Sequence, residues 1–151
     1  MKIKSIYISQ GLFCTERVFE SGFNLIFSEK NSTGKTTLMR CILYGLGYAV
    51  PGTKKFSIES CYIKVVIEKD DSTQITLCRS RADSIELTEA NMQYTYALPV
   101  QINELHEKIF GTNNEDIINN LLGAIYADQE KGWTLLNRGK AIACLLYTSD
   151  A

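Results

Sequence analysis

Residues 23–37 read Phe23-Asn24-Leu25-Ile26-Phe27-Ser28-Glu29-Lys30-Asn31-Ser32-Thr33-Gly34-Lys35-Thr36-Thr37. An apolar run of strand length is followed by a polar loop, then by Gly-Lys-Thr-Thr, and then by a segment with helical periodicity. This order of strand, loop and helix is the context in which a phosphate-binding loop is expected. The stretch therefore predicts nucleotide binding, and its continuous hydrophobicity predicts a central strand over residues 23–27 that is buried on both faces.

The parts of this loop have distinct roles in binding phosphate. Backbone N–H groups of the loop and of the helix N-terminus would converge on the anion, aided by the helix dipole. Lys35 would place its charge against the β- and γ-phosphates, and the Thr36 hydroxyl would bind Mg²⁺. The candidate nucleotide-binding residues are Asn31, Ser32, Thr33, Gly34, Lys35, Thr36 and Thr37.

One position departs from the pattern G-x-x-x-x-G-K-[ST], because Glu29 replaces the first glycine. Glycine at this place eases tight turning of the backbone and close approach to phosphate. A carboxylate there repels a triphosphate unless its side chain points into solvent. The plain structural alternative is a helix start that carries Gly-Lys-Thr-Thr by coincidence.

The composition is that of an ordinary soluble globular domain. The 151 residues carry a formal net charge of −1, which gives no global attraction to nucleic acid or to an anionic membrane. The sequence begins Met1-Lys2-Ile3-Lys4 without a signal peptide, and no apolar run is long enough to span a membrane. Five cysteines without C-x-x-C spacing and a single histidine, His106, give no support to a zinc site. We expect a cytoplasmic protein with reduced cysteines.

The remaining periodicity predicts a mostly antiparallel β-region followed by helices. Strands are predicted over residues 2–9, 13–20, 23–27, 61–67, 73–79, 85–88 and 94–98. A buried helix is predicted from Lys35 to about Tyr48, and another around Ile102–Ile109 in which His106 is partly exposed. Asn113 or Asn114 is expected to cap a further helix.

The order of these elements resembles the N-terminal half of the ATPase head of SMC-like ABC proteins, the group that includes RecN, RecF and the chromosome-maintenance and double-strand-break-repair ATPases. The resemblance covers about Met1 to Lys140. It is carried by Asn24–Phe27 with Lys35-Thr36-Thr37, and by Tyr126-Ala127-Asp128-Gln129-Glu130-Lys131-Gly132. It implies an α/β P-loop NTPase fold with a β-rich antiparallel subdomain and a small helical segment.

The resemblance also implies a site and a function. The second segment corresponds to the Q-loop, so Gln129 would contact Mg²⁺ and the hydrolytic water, with Lys35 as the other catalytic residue and Thr36 as the other metal ligand. ATP and Mg²⁺ would be held between two heads, in a homodimer or heterodimer. The protein would act on DNA in repair, chromosome maintenance or anti-phage defence, without a membrane.

The family's coiled coil, signature motif and Walker B strand have no counterpart in this sequence. Residues 1–140 are therefore predicted to be a partial P-loop ATPase head. Residues 141–151 are predicted to be a non-native or truncated tail, because their last part resembles translated adapter sequence. On this interpretation the fragment binds nucleotide weakly and hydrolyses it negligibly, and ATPase activity belongs to a longer natural protein.

Two alternatives remain open at this point. Asp128 follows an apolar run and could serve as the metal carboxylate of a self-sufficient small P-loop nucleotide kinase or NTPase. Glu29 and the missing catalytic carboxylate also fit a non-catalytic nucleotide-sensing module. A second apolar run, which ends at Glu68, fits a β-hairpin better than a magnesium site.

Overall fold

An antiparallel β-sheet forms the centre of the protein. The structure is a computed structural model that describes residues 1–30, 34–50 and 56–125, and for 121–125 it describes the backbone alone. Within these ranges the strands are β1 (Lys2–Gln10), β2 (Phe13–Val18), β3 (Tyr62–Glu68), β4 (Gln74–Arg81), β5 (Ser84–Glu89) and β6 (Met92–Ala97). They form one six-stranded sheet in the order β2-β1-β3-β4-β5-β6, in which every neighbouring pair is antiparallel.

Helices cover one face of this sheet. The described α-helices are α1 (Lys35–Gly45), α2 (Ile102–Phe110) and α3 (Glu115–Ile125), and a short 3₁₀ helix spans Ile58–Ser60. Every second residue of the central strands points towards the helices, and the buried apolar side chains from these positions include Ile6, Ile8, Ile63, Val65, Ile67, Ile75, Leu77, Ile85 and Leu87. None of the described helices is both long and apolar enough to cross a membrane.

The helix α1 approaches the sheet closely because it ends in glycine. A Cβ added at Gly45 would overlap Cγ2 of Val65 and lie 3.2 Å from Cγ2 of Ile63. The C-terminal half of α1 is buried from Arg40 onwards, whereas its first five residues are half-buried or exposed. The helix is therefore held by its C-terminal half, while its N-terminal half begins at Gly34 and contacts Ser28 through Lys35.

Most of the predicted β-structure is confirmed. The hairpin predicted at residues 61–67 and 73–79 is the pair β3 and β4, in which Ile63 lies opposite Arg79 and Glu68 opposite Gln74. Glu68 contacts the ammonium group of Lys2 at 2.7 Å, and the hydrogen bond from Lys2 lowers the pKa of this carboxyl group. Glu68 thus lies in a hairpin, as the alternation of this strand predicted, and the structure adds its ion pair with Lys2.

The prediction of a central strand over residues 23–27 is wrong for this structure. The segment forms no strand, and its apolar side chains face solvent, with 89% of Phe23, 69% of Leu25 and 76% of Phe27 exposed. Asn24 fixes the turn before it, since its side chain bonds the backbone N–H and C=O of Glu20. A strand requires a neighbour for its backbone N–H and C=O groups, and this segment pairs with none of the described strands.

The helical part follows the predicted order, with one correction. Asn114 caps α3, because its Oδ1 accepts from the backbone N–H groups of Asp116 and Ile117 at 3.1 and 3.2 Å. His106 is not partly exposed as predicted but is 4% exposed. Its ring lies between Tyr48 and Phe110, with centroid distances of 4.6 and 5.3 Å. The histidine is therefore part of the packing between α2 and the end of α1.

Candidate nucleotide-binding site

The helix α1 begins at the glycine of the predicted phosphate-binding loop. Gly34 is the N-cap residue and has φ +90°, a left-handed conformation that favours glycine. An added Cβ at Gly34 would meet no atom within 4 Å, so the backbone conformation rather than space accounts for glycine here. The first hydrogen bond of the helix runs from Leu38 N–H to the Gly34 carbonyl oxygen at 2.8 Å.

The N-terminus of α1 is suited to an anion. Since helical bonding starts at Leu38, the N–H groups of Thr36 and Thr37 have no acceptor within the helix. In the described part of the chain no side chain caps this end, and the first turn carries no acidic residue. The positive end of the helix dipole lies at the same place. These backbone groups can bind a phosphate oxygen.

The lysine of the motif is turned back towards the start of the loop. Lys35 Nζ donates a hydrogen bond to Ser28 Oγ at 2.8 Å, and Ser28 Oγ donates in turn to the Lys30 carbonyl oxygen at 2.6 Å. Lys35 is half-buried. The ammonium group therefore lies beside Ser28, and its residue belongs to the first turn of α1.

The residue in place of the first glycine lies on the surface. Glu29 is exposed, so its carboxylate is hydrated. The repulsion that the carboxylate exerts on a phosphate is thus weakened by solvent. The pattern at Gly34, Lys35 and Ser28 fits a phosphate group in spite of Glu29.

Several predicted site residues lie outside the described residues. These are Asn31, Ser32, Thr33, Asp128 and Gln129. The structure therefore brings together Gly34, Lys35, Thr36 and Thr37 of the predicted set. Among the residues that it describes, no group of three or more histidine, cysteine, aspartate or glutamate side chains could hold a metal ion. The Thr36 hydroxyl is the described group that could contribute to binding Mg²⁺ beside a phosphate.

A buried arginine holds the opposite end of α1, and the sequence reasoning missed this role. Arg79 Nη1 donates to the carbonyl oxygens of Tyr44 and Tyr48 at 2.8 and 2.9 Å. Its Nη2 donates to Ala82 O at 2.6 Å and its Nε to Arg81 O at 3.2 Å. The alternation of β4 places residue 79 on the same face as Ile75 and Leu77. This alternation could have indicated that Arg79 is buried, although a charged side chain is usually exposed.

Burial changes the acid–base properties of this region. The guanidinium of Arg79 lies 3.7 Å from the ring centroid of Tyr44, and burial lowers the pKa of Arg79. Burial also raises the pKa of the Tyr44 hydroxyl. It raises the pKa of the Cys41 thiol, in the middle of α1, to about 12. The cysteine and tyrosine are thus neutral at physiological pH, while an arginine remains charged there.

A second side chain contacts the same end of the helix. His106 Nε2 lies 3.1 Å from the carbonyl oxygen of Leu46, one residue beyond α1. A carbonyl oxygen accepts, so Nε2 carries the proton in this contact. Arg79 from the sheet and His106 from α2 therefore bind three carbonyl oxygens, those of Tyr44, Leu46 and Tyr48, at the end of α1 opposite the loop.

Comparison with known proteins gives one family. A family model described as an AAA domain matches residues 15–140 of this chain. The match includes the sequence before α1, the whole of α1, the strands β3 to β6 and the part of β2 from residue 15 onwards. No curated protein matches the chain.

Proposed function

The chain belongs to the AAA domain family, which supports an ATPase-type, nucleotide-binding function, and from this premise we propose that it is the ATP-binding N-terminal half of an SMC-like ATPase head. The observation that carries the proposal is the arrangement at the start of α1. Gly34 opens the helix in a left-handed conformation, and Lys35 reaches back to Ser28 at 2.8 Å. A cation therefore lies at the helix end whose first-turn N–H groups have no acceptor within the helix, as a polyphosphate requires.

Each described residue has a definite task in this proposal. Lys35 would bind oxygens of the β- and γ-phosphates, either in place of its hydrogen bond to Ser28 or in addition to it. The N–H groups of Thr36 and Thr37 bind phosphate oxygens, and Thr37 adds a hydroxyl contact to the α-phosphate. Thr36 contributes its hydroxyl to Mg²⁺, together with Gln129. The metal, when bound, supplies positive charge that stabilises the transferring phosphoryl group.

The exposed apolar segment supports the idea that this lobe is part of a larger head. Phe23, Leu25 and Phe27 are exposed by 69% or more, directly before the loop. Contiguous exposed apolar side chains are characteristic of surfaces that another segment covers. We propose that further sequence of the natural protein covers this segment and supplies a metal carboxylate. Residues 141–151 are then not part of the working head.

The partners follow from the same proposal. A second head, identical or different, would close the site from the opposite side, and ATP-dependent engagement of the heads would act on DNA. The resemblance to SMC-like proteins supports this DNA role. The net charge of −1 gives no general attraction to DNA, so a local surface or the remaining sequence would make the contact.

The test compares ATP turnover by this chain with turnover by a version extended to the natural C-terminus. The proposal predicts negligible ATP hydrolysis by the chain and measurable hydrolysis by the extended protein. The substitution Lys35→Met should abolish the hydrolysis by the extended protein. Robust turnover by the chain alone would show a self-sufficient site and contradict the proposal of a half-site. If the extended protein neither binds nor hydrolyses ATP, the nucleotide-binding proposal itself fails.

A further inference from the structure

A positive charge lies in a face of the sheet that is otherwise apolar. Arg79 is 3% exposed and continues the inward-facing row of Ile75 and Leu77 on β4. Burial of a charged group is costly unless hydrogen bonds compensate for the lost water. The four carbonyl contacts described above supply that compensation. One of them is made to Tyr44 in the last turn of α1, and one to Tyr48, three residues beyond the helix. Arg79 therefore joins this helix end to the sheet.

The contacts with α1 are favourable for electrostatic reasons. The last carbonyl oxygens of a helix receive no hydrogen bond from an N–H group within the helix, and they carry the negative end of the helix dipole. A guanidinium with several donors in a fixed plane can bind two such oxygens at once. Nη1 of Arg79 binds one such oxygen, that of Tyr44, together with the oxygen of Tyr48 just beyond the helix, while the guanidinium also stacks on the ring of Tyr44.

The burial of α1 shows which end determines its position. The residues from Arg40 to Gly45 are buried, whereas those from Lys35 to Met39 are half-buried or exposed. An α-helix of 11 residues is a hydrogen-bonded rod of about 16 Å. A shift or tilt of its anchored end is consequently passed on to its first turn, where Gly34 and Lys35 lie.

We propose that Arg79 is a positioning residue for the phosphate-binding loop and acts through α1. This inference rests on the proposed function, in which the first turn of α1 binds the phosphates. Arg79 makes no contact with the nucleotide. It holds the C-terminal end of the helix against β4 and the β4–β5 turn, and so fixes the place of Lys35 and Thr36 at the other end.

The experiment uses the full chain with three substitutions. Arg79→Met removes the donors and keeps a long apolar side chain, whereas Arg79→Lys keeps the charge with fewer, differently placed donors. Arg81→Met is the matched control, because Arg81 lies on the same strand but is exposed and pairs with Asp83 at 3.0 Å. For each protein, thermal unfolding measures the folded fraction and isothermal titration calorimetry measures the Kd for Mg-ATP. Amide ¹H–¹⁵N shifts of residues 34–36, recorded without nucleotide, report the start of α1.

The expected result is a loss of ATP affinity in protein that is still folded. Misplacement of a binding group by about 1 Å can cost about a hundredfold, so we expect Arg79→Met to raise the Kd by about ten- to a hundredfold. Arg79→Lys should recover part of this loss, and Arg81→Met should match the unmodified chain. The amide shifts of residues 34–36 should change in the Arg79 variants and stay constant in the control.

Two results would overturn the proposal. The first is unmodified ATP affinity and unmodified amide shifts at residues 34–36 in both folded Arg79 variants. The second is a loss of affinity that equals the loss of folded protein, since it would assign Arg79 to stability alone. If the unmodified chain binds no ATP, the proposed function fails, and the amide shifts without nucleotide still decide whether Arg79 positions the start of α1.

Discussion

Lys35 and Ser28 are joined by a hydrogen bond of 2.8 Å from the ammonium group to the hydroxyl oxygen. The two residues stand at opposite ends of the predicted phosphate-binding loop, and Ser28 is itself tied to the Lys30 carbonyl oxygen. The lysine side chain has many rotamers, and holding it near its working position removes part of the entropy cost of binding. In the proposed function, Ser28 would thus hold Lys35 ready for a phosphate group.

The first prediction concerns Ser28. We expect Ser28→Ala to weaken ATP binding by about 1 kcal/mol, or about fivefold in Kd, because one hydrogen bond that positions Lys35 is lost. The free energy of unfolding should change little, since Ser28 is part of a surface loop. Calorimetric titration with Mg-ATP measures the effect. Ser80→Ala, at an exposed position of β4, is the control. An equal loss in both variants, or none in Ser28→Ala, would count against this role.

The second prediction concerns Thr36 as a metal ligand. Thr36→Ala should lower the affinity for ATP in the presence of Mg²⁺ and leave the affinity for ATP in EDTA nearly unchanged, because the hydroxyl acts on the cation rather than on the phosphates. Thr36→Ser keeps the hydroxyl and should behave as the unmodified chain. Titrations with and without Mg²⁺ give the comparison. If Thr36→Ala lowers the affinity for ATP by the same factor with and without Mg²⁺, the hydroxyl does not act through the metal.

The third prediction concerns the contact of α1 with β3. Gly45→Ala should lower the free energy of unfolding by about 1–3 kcal/mol, because the new Cβ overlaps Cγ2 of Val65, a branched side chain in a packed strand. Alanine favours a helix over glycine by about 1 kcal/mol, so a net loss would show that the clash dominates. Chemical denaturation measures the difference.

A double variant separates this clash from other effects. Val65→Ala alone should destabilise the protein through a cavity. The double variant Gly45→Ala with Val65→Ala should lose less free energy of unfolding than the two single variants lose together, since the new methyl group enters the vacated space. Strict additivity of the two losses would mean that Gly45 is not needed for the close approach to Val65.

The fourth prediction is a loss of stability at alkaline pH. Burial raises the pKa of Cys41 from 9.0 to about 12, so between these values the unfolded chain releases the thiol proton and the folded chain keeps it. The stabilising contribution is complete below pH 9 and disappears as the pH rises towards 12. The slope for one such group is about −1.4 kcal/mol per pH unit.

A substitution separates the contribution of Cys41 to the alkaline loss of stability from the contributions of other buried groups. Unfolding curves between pH 8 and 11 should show a shallower decline for Cys41→Ala than for the unmodified chain, even though the variant starts from a lower stability. Cys14→Ala provides the comparison, because Cys14 is exposed and its substitution removes a cysteine from outside the core. Parallel curves for all three proteins would exclude Cys41 as a source of the pH dependence.

The alternation and the helical period of apolar residues were sufficient to predict the hairpins and helices. In β3 and β4 every second residue is buried, and all of these buried residues except Arg79 are apolar, so the pattern defines both the strands and the face that they present to α1. The same reasoning failed at residues 23–27. Hydrophobicity indicates that Phe23, Leu25 and Phe27 favour burial, but a strand also needs a neighbour, and periodicity carries no information about where that neighbour lies.

Within the candidate site, the motif predicted the start of α1 but not the residues that hold it. Gly34 and Lys35 are recognisable because their chemistry is local, in one turn of chain. Arg79 and His106 reach the other end of α1 from 31 to 60 residues further along the chain, and a single sequence does not show such contacts. Both residues are polar, so sequence reasoning assigned no buried position to Arg79 and the wrong exposure to His106.

The fifth prediction tests the central claim that the loop before α1 binds a nucleotide. Isothermal titration calorimetry of the full chain with Mg-ATP should show saturable binding, and Lys35→Ala should weaken it about a hundredfold, because a charge-assisted contact worth about 1.5–3 kcal/mol is lost from a site built around it. Lys64→Ala, which removes a lysine on β3, should leave the Kd unchanged. Saturable binding by the unmodified chain that is about a hundredfold weaker in Lys35→Ala is the predicted result. Equal affinity of Lys35→Ala and the unmodified chain, or no detectable binding by the protein extended to its natural C-terminus, would contradict the claim.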